Sequence, residues 1–142
     1  MAKRVLIVDD EPDVVRYLSS VLENHGYDVT TADNSVDAMN AVQSRKPDLI
    51  CLDIMMPEES GLSLYVKLRR QKSTRSIPVV IVSGMASRSE FALHDYVDDT
   101  SIAPPEEYIE KPIDVPCFVD TVARLVQGRS SDAPTGTGGK KW

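Results

Sequence analysis

The 142-residue sequence has no run of about 18 apolar residues, so no segment is expected to insert into a membrane. Its two cysteines, Cys51 and Cys117, lie far apart and predict neither a disulfide nor a metal site. Its two histidines, His25 and His94, also lack the spacing of metal ligands. Two cations and a short apolar run open the chain, but acids follow at once and no cleavage site of small residues appears. These absences favour a cytoplasmic protein.

The sequence also lacks an excess of positive charge, because 16 Lys and Arg residues stand against 22 Asp and Glu residues, for a net charge of −6. A surface that follows nucleic-acid phosphates needs clustered cations, so nonspecific nucleic-acid binding is not expected. One local basic group is interpreted as the solvated end of a helix: Lys67, Arg69, Arg70, Lys72 and Arg75.

Apolar runs alternate with helical patterns along the chain. The runs over 5–8, 49–52 and 77–82 are continuous, which is typical of strands buried on both faces of a sheet, and 27–31 and 108–110 are weaker strand candidates. Five alternations predict an α/β fold, with a parallel sheet covered by helices on both faces. We expect one domain over residues 1–128. The tail, residues 129–142, is rich in Ser, Gly, Pro and Thr and is expected to be disordered.

Reactive side chains follow four of the predicted strands. Asp9 and Asp10 end the first strand, Asp53 ends the third, Ser83 ends the fourth and Lys111 follows the fifth. Ligands of an open parallel sheet bind outside the carboxyl ends of its strands, so we expect these side chains to lie together. Three carboxylates repel one another, and oxygen ligands alone select a hard cation such as Mg²⁺. The set suits phosphoryl transfer to a carboxylate nucleophile, Asp53.

Each feature also has a plain structural explanation when it is taken alone. Acids before Pro12 suit a helix N-terminus, where negative charge opposes the macrodipole. Asp53 could form a turn, and Ser83 could be an ordinary loop residue. The functional interpretation depends on the order of all four features, each after its own strand.

Over residues 3 to about 128, the chain resembles the receiver domain of bacterial two-component response regulators. The resemblance is carried by Asp9-Asp10-Glu11-Pro12 after an apolar strand, Asp53-Ile54-Met55-Met56-Pro57, Ser83-Gly84 and Lys111-Pro112. It implies a flavodoxin-like sheet with strand order 2-1-3-4-5. It also implies that a histidine kinase or a phosphotransfer protein of a phosphorelay phosphorylates Asp53.

The resemblance further assigns roles around Asp53. Asp9, Asp10, Asp53 and the backbone carbonyl of Met55 would hold Mg²⁺. Ser83 and Lys111 would contact the phosphoryl group, and the Lys111–Pro112 peptide bond is a candidate for the cis form.

A switch follows from the charge that phosphorylation adds, about one further negative charge with three acceptor oxygens. Ser83 would move toward the phosphoryl group, and Tyr108 could swing into the space that Ser83 leaves. This would change the surface around the fourth helix, the fifth strand and the last helix, and so control a partner protein. The alternative is that Tyr108 is an ordinary aromatic residue of the fifth strand, with no role in a switch.

The sequence departs from the family pattern in two places. From Ser83 to Lys111 is 28 positions, longer than usual, so irregular structure is expected over residues 86–107. Met55 and Met85, two positions after Asp53 and Ser83, offer no good hydrogen bond to orient an attacking water. They therefore predict slow loss of the phosphoryl group.

Two other functions compete with a phosphorylated switch, which is not an enzyme in the ordinary sense. One is a docking module that keeps the fold but works without phosphorylation. The other is a Mg²⁺-dependent phosphohydrolase, whose second acid usually stands two residues after its nucleophile. No output domain is recognisable in the tail, so the chain is expected to be a stand-alone receiver or a piece of a longer protein.

Overall fold

The computed structural model describes residues 2–53, 61–83 and 105–128. These residues form five strands and four helices, in the following order: β1 (Arg4–Val8), α1 (Pro12–Asn24), β2 (Asp28–Ala32), α2 (Ser35–Ser44), β3 (Leu49–Leu52), α3 (Gly61–Arg70), β4 (Val79–Ser83), β5 (Glu107–Glu110) and α4 (Val115–Gly128). No helix in the described ranges has the length and apolar character of a membrane span.

The five strands form one parallel sheet in the order β2-β1-β3-β4-β5, which confirms the predicted α/β fold and strand order. All four residues of β3 are buried, and this explains why its sequence is continuously apolar. In the pairing of β1 with β3, Val8 lies opposite Leu52. The residues that follow, Asp9 and Asp53, therefore leave the sheet side by side.

The core has two apolar layers, one on each face of the sheet. On one face, residues of α2 and α3 such as Val42 and Leu68 pack against Leu6 and Ile50. On the other face α1 and α4 pack against a second set that includes Ile7, Cys51 and Phe118. Of the two free cysteines, Cys51 is buried and Cys117 is exposed. The described helices thus cover both faces of the sheet.

Local sequence signals set several element boundaries. Pro12 occupies the first turn of α1. The Asn34 side chain accepts a hydrogen bond of 2.8 Å from the backbone N–H of Asp37 and caps α2. Asp114 accepts one of 3.3 Å from the N–H of Cys117 at the start of α4. Gly26 has a φ of +90°, a left-handed conformation in which a residue with a side chain would be strained. It turns the chain from α1 toward β2.

The fourth strand begins at Val79, two residues later than the apolar run suggests. Pro78 has no N–H to donate to a ladder, although its carbonyl accepts from the N–H of Ile50 at 3.0 Å. The fifth strand begins at Glu107, one residue earlier than predicted. Of the stretch expected to be irregular, 86–107, residues 86–104 lie outside the described residues, as does the tail 129–142, and Glu107 belongs to β5.

The basic group near the end of α3 is not uniformly solvated, and the prediction is wrong for Arg69. Its side chain is only 2% exposed. It donates to the Tyr65 hydroxyl at 2.9 Å, to the carbonyls of Arg75 and Ile77, and to Glu106 Oε1 at 2.7 Å. The same Glu106 oxygen accepts from the N–H of Val79. Arg69 therefore ties α3 to the segments that directly precede β4 and β5.

Candidate functional site

Two buried carboxylates lie at the carboxyl ends of adjacent strands. Asp9 follows β1 and is 2% exposed, and Asp53 follows β3 and is 3% exposed. Their backbone N–H groups continue the ladder, from Asp9 to Ala32 O at 3.1 Å and from Asp53 to Val8 O at 2.9 Å. The pairing of β1 with β3 extends to Val8 and Leu52, so the sheet fixes the backbone positions of Asp9 and Asp53, which follow them.

Asp10 completes a cluster of three carboxylates. Asp9, Asp10 and Asp53 each place one oxygen within 4.8 Å of the others. Burial raises the pKa of Asp9 to about 6; a hydrogen bond from the Glu11 N–H opposes this effect, and the charge on Asp53 adds to it. The cluster is therefore short of positive charge. Three carboxylate oxygens at this separation are donors that a hard divalent cation prefers, so the residues fit Mg²⁺.

Lys111 brings a cation to this cluster from the end of β5. Its Nζ lies 3.1 Å from Asp9 Oδ2, 2.7 Å from Glu11 Oε1 and 3.7 Å from Asp53 Oδ2. Burial lowers the pKa of Lys111, but hydrogen bonds to Glu11 and Asp9 and the charge of Asp53 more than offset this, so the pKa is raised. Lys111 is thus a fixed ammonium ion. The peptide bond between Lys111 and Pro112 is cis.

Glu11 is a close partner of Lys111 to which the sequence assigned no role at the site. Its position before Pro12 suggests only an acid at a helix N-terminus, and nothing in the spacing links position 11 to position 111. Among the described residues it is the nearest carboxylate to the lysine, with a 2.7 Å hydrogen bond.

Other predicted site residues are only partly described. Ser83 is the last residue of β4 and pairs with Glu110, so the backbone lies at the expected edge, whereas its side chain is outside the described part. Met55 and Met85 lie in the ranges 54–60 and 84–104, outside the described residues. Tyr108 pairs with Ile81 in the sheet, and its half-buried side chain packs against the core layer that contains Tyr65.

A groove of about 470 Å³ lies beside the carboxylates, between the first turns of α1 and α2. Four of its nine lining residues are acidic: it is lined by Asp9, Asp10, Pro12, Val15, Arg16, Thr31, Ala32, Asp33 and Asp37. Two of the three clustered acids thus face a solvent-filled space.

These observations define a class of protein: a flavodoxin-like domain with a carboxylate cluster at its topological switch point, beside a lysine from the last strand. The family model for the response regulator receiver domain matches residues 5–123. The chain belongs to this family, which works in two-component signalling.

Two relatives and two solved structures illustrate the similarity. DivK of Brucella anthropi, a polar-differentiation response regulator, is 33% identical over 124 residues, covering 86% of this chain and 94% of the relative. PhoP of Bacillus subtilis, an alkaline phosphatase synthesis transcriptional regulatory protein, is 44% identical over 72 residues, which are 51% of this chain and 30% of PhoP.

Among solved structures, a sensor protein from Polaromonas sp. JS666 superposes with a TM-score of 0.79 at 29% identity, covering 90% of this chain and 98% of that one. A CheY-like receiver domain protein from Methanospirillum hungatei gives a TM-score of 0.78 at 22% identity, covering 91% and 97%, and supports the fold alone.

Proposed function

We propose that the chain is a phosphoryl-accepting signalling switch. Asp53 receives a phosphoryl group from a histidine kinase or a histidine phosphotransfer protein, in a Mg²⁺-dependent reaction in the cytoplasm. The phosphorylated form then controls a downstream protein partner. Family membership supports the class of function, and the geometry around Asp53 supports the assignment of residues.

One observation carries the proposal: Asp53 shares a 4.8 Å cluster with Asp9 and Asp10, and Lys111 Nζ lies 3.7 Å from its Oδ2. In the transfer, an Asp53 carboxylate oxygen forms a bond to phosphorus while the P–N bond of the donor histidine breaks. The electron pair stays on the imidazole, which takes up a proton from solvent. Asp53 gains a phosphoryl group and the donor returns to an ordinary histidine.

Mg²⁺ would neutralise charge on the transferred group, and Asp9, Asp10, Asp53 and the Met55 carbonyl would hold it. Lys111 supplies a further positive charge to the phosphoryl oxygens, and Ser83 donates a hydrogen bond to one of them. We further propose that Tyr108 responds to the movement of Ser83. Because Tyr108 packs on the layer that includes Tyr65, its movement would alter the surface around β5.

Met55 and Met85 are proposed to prolong the phosphorylated state. Neither thioether orients water well, so hydrolysis of the acyl phosphate lacks a positioned group. The double variant Met55→Asn, Met85→Glu should lose phosphate faster, by about tenfold or more. A decay rate equal to that of the parent chain would count against this role.

The central test is incubation with acetyl phosphate and Mg²⁺, followed by intact-mass spectrometry. The parent chain should gain the mass of one phosphoryl group, and Asp53→Asn should gain none. Asp33→Asn is the control, since Asp33 lies on the same acidic groove but outside the cluster, and it should be modified like the parent.

The same experiment separates the competing functions. No adduct on the parent chain would favour a docking module that works without phosphorylation. Continuous release of phosphate with many turnovers would favour a phosphohydrolase. A long-lived adduct that requires Asp53 supports the switch, and transfer assays against the histidine kinases of the source organism would then identify the donor.

A further inference from the structure

Lys111 is shared among carboxylates at unequal distances. Its Nζ makes hydrogen bonds with Glu11 at 2.7 Å and with Asp9 at 3.1 Å, whereas Asp53 Oδ2 lies 3.7 Å away, beyond hydrogen-bond length. The lysine side chain is 19% exposed and the Glu11 side chain 58% exposed. The shortest contact of the ammonium group is therefore with the exposed acid and not with the buried ones, which places it toward the rim of the site.

The backbone of Glu11 is firmly placed. Its N–H donates to Asp9 Oδ1 at 3.0 Å, and its carbonyl accepts from the N–H of Val15 at 3.1 Å in the first turn of α1. Glu11 is the N-cap residue of α1, yet its side chain makes no capping hydrogen bond. Shorter polar side chains are preferred at an N-cap because they reach the backbone of their own helix. The carboxylate of Glu11 instead reaches across to the end of β5.

We propose that Glu11 is a positioning residue for Lys111. In the unphosphorylated chain it holds the ammonium group at the rim, and it releases that group when Asp53 carries a phosphoryl group. This inference rests on the proposed function of Asp53 and deepens it. Glu11, an exposed acid outside the carboxylate cluster, would thereby help to set how readily the phosphorylated state forms.

The charges determine the direction of the effect. Phosphorylation replaces the single charge of Asp53 with a group that carries about −1.5 to −2 and three acceptor oxygens, so Lys111 gains a stronger partner there. To reach it, Nζ must leave the Glu11 contact. A half-exposed ion pair is weak, and its loss changes an equilibrium by up to about fivefold. Removing the Glu11 carboxylate should therefore favour the phosphoryl-bound position of Lys111 by a factor of this size.

The test measures binding of beryllofluoride, an analogue of a phosphoryl group on a carboxylate, by calorimetry at saturating Mg²⁺. Glu11→Gln should bind it roughly two- to fivefold more tightly than the parent. Asp13→Asn is the matched control, because Asp13 lies in the first turn of the same helix, loses the same charge and pairs with Arg16 rather than Lys111. It should bind like the parent. A thermal melt of each variant checks that the fold is retained.

The same change made in a Lys111→Met background separates an effect through the contact between Glu11 and Lys111 from a general effect of removing a negative charge. In Lys111→Met, the further change Glu11→Gln should leave beryllofluoride affinity unchanged, since the lysine through which Glu11 acts is gone. Equal affinity of Glu11→Gln and the parent, or an equal gain in both backgrounds, would overturn the role of Glu11 while leaving the function of Asp53 intact. Failure of the parent chain to bind beryllofluoride or to accept phosphate would instead overturn the proposed function itself.

Discussion

The burial of Asp9 and Asp53 determines the character of the site. Both are almost fully covered, at 2% and 3% exposed, and burying a charge is costly unless it is paired. Lys111 provides a single positive charge for these two acids, and it also serves Glu11. One ammonium group for three carboxylates leaves negative charge in excess, and burial, with the charge of Asp53 adding to it, raises the pKa of Asp9 to about 6.

Asp9→Asn should therefore stabilise the metal-free chain at neutral pH. Because the pKa of Asp9 is raised by folding from 3.8 to about 6, the folded state binds its proton more tightly. The resulting stability is complete below about pH 4 and is lost as the pH rises through about 6. The asparagine variant has no such loss. In EDTA its free energy of unfolding should fall less between pH 4 and pH 7, by on the order of 1 to 3 kcal/mol.

Urea denaturation followed by far-UV circular dichroism measures this difference. Asp33→Asn, an exposed acid outside the cluster, serves as the control and should keep the pH dependence of the parent. Parallel curves for Asp9→Asn and the parent between pH 4 and pH 7 would contradict the prediction.

At the scale of elements, the ion pair between Arg69 and Glu106 is the least expected connection in the molecule. It joins α3 to the residue before β5 across 37 positions of sequence, and the arginine side chain is 2% exposed. The Arg69 guanidinium also lies 5.0 Å from the centre of the Tyr65 ring, whose hydroxyl it contacts. Burial raises the pKa of that hydroxyl to about 12, although Arg69 opposes the change, so Tyr65 stays neutral.

Glu106→Gln should lower the free energy of unfolding by about 1 to 3 kcal/mol, since it removes the carboxylate that contacts the buried guanidinium at 2.7 Å. In an Arg69→Met background the same change should cost less, because no buried charge then needs compensation. The double-mutant cycle, measured by urea denaturation, gives the coupling between the two residues.

Arg70→Met is the matched control for the arginine, because Arg70 is the next residue of α3 and is exposed. It should change the free energy of unfolding by no more than about 0.5 kcal/mol. A coupling of zero between Arg69 and Glu106 would show that the two charges are stabilised independently.

The elements differ in how far the sequence determines them. The continuous apolar runs of β1, β3 and β4 predicted buried parallel strands, because such runs are rarely compatible with a solvated face. The burial of Arg69 could not be predicted in this way. A cation beside Arg70 and Lys72 normally lies in solvent, and the return of the chain at Glu106 brings a carboxylate to within 2.7 Å of this one.

At the scale of the whole molecule, the site depends on contacts between distant parts of the chain. Lys111 and Asp9 are 102 positions apart in sequence, and Lys111 and Glu11 are 100 apart. The expectation that ligands bind at the carboxyl ends of parallel strands brought Asp9, Asp53 and Lys111 to one edge. It could not rank the partners of Lys111, because side-chain distances of 2.7 and 3.7 Å are set by packing and not by strand order.

Packing also indicates where the folding unit ends. The buried apolar residues described in the structure run from Val5 to Val126, and α4 ends at Gly128. We therefore predict that a chain of residues 1–128 keeps the free energy of unfolding of the full chain within about 0.5 kcal/mol and accepts phosphate at the same rate. A shorter chain that ends at Thr121 loses Val122 and Val126, which are 0% and 2% exposed, and should be less stable by about 3 kcal/mol or more.

Urea denaturation followed by circular dichroism compares the three chains without depending on the single tryptophan, Trp142, which both truncations remove. A loss of stability on removing residues 129–142 alone would mean that the tail packs on the domain, and the boundary at residue 128 would then be wrong.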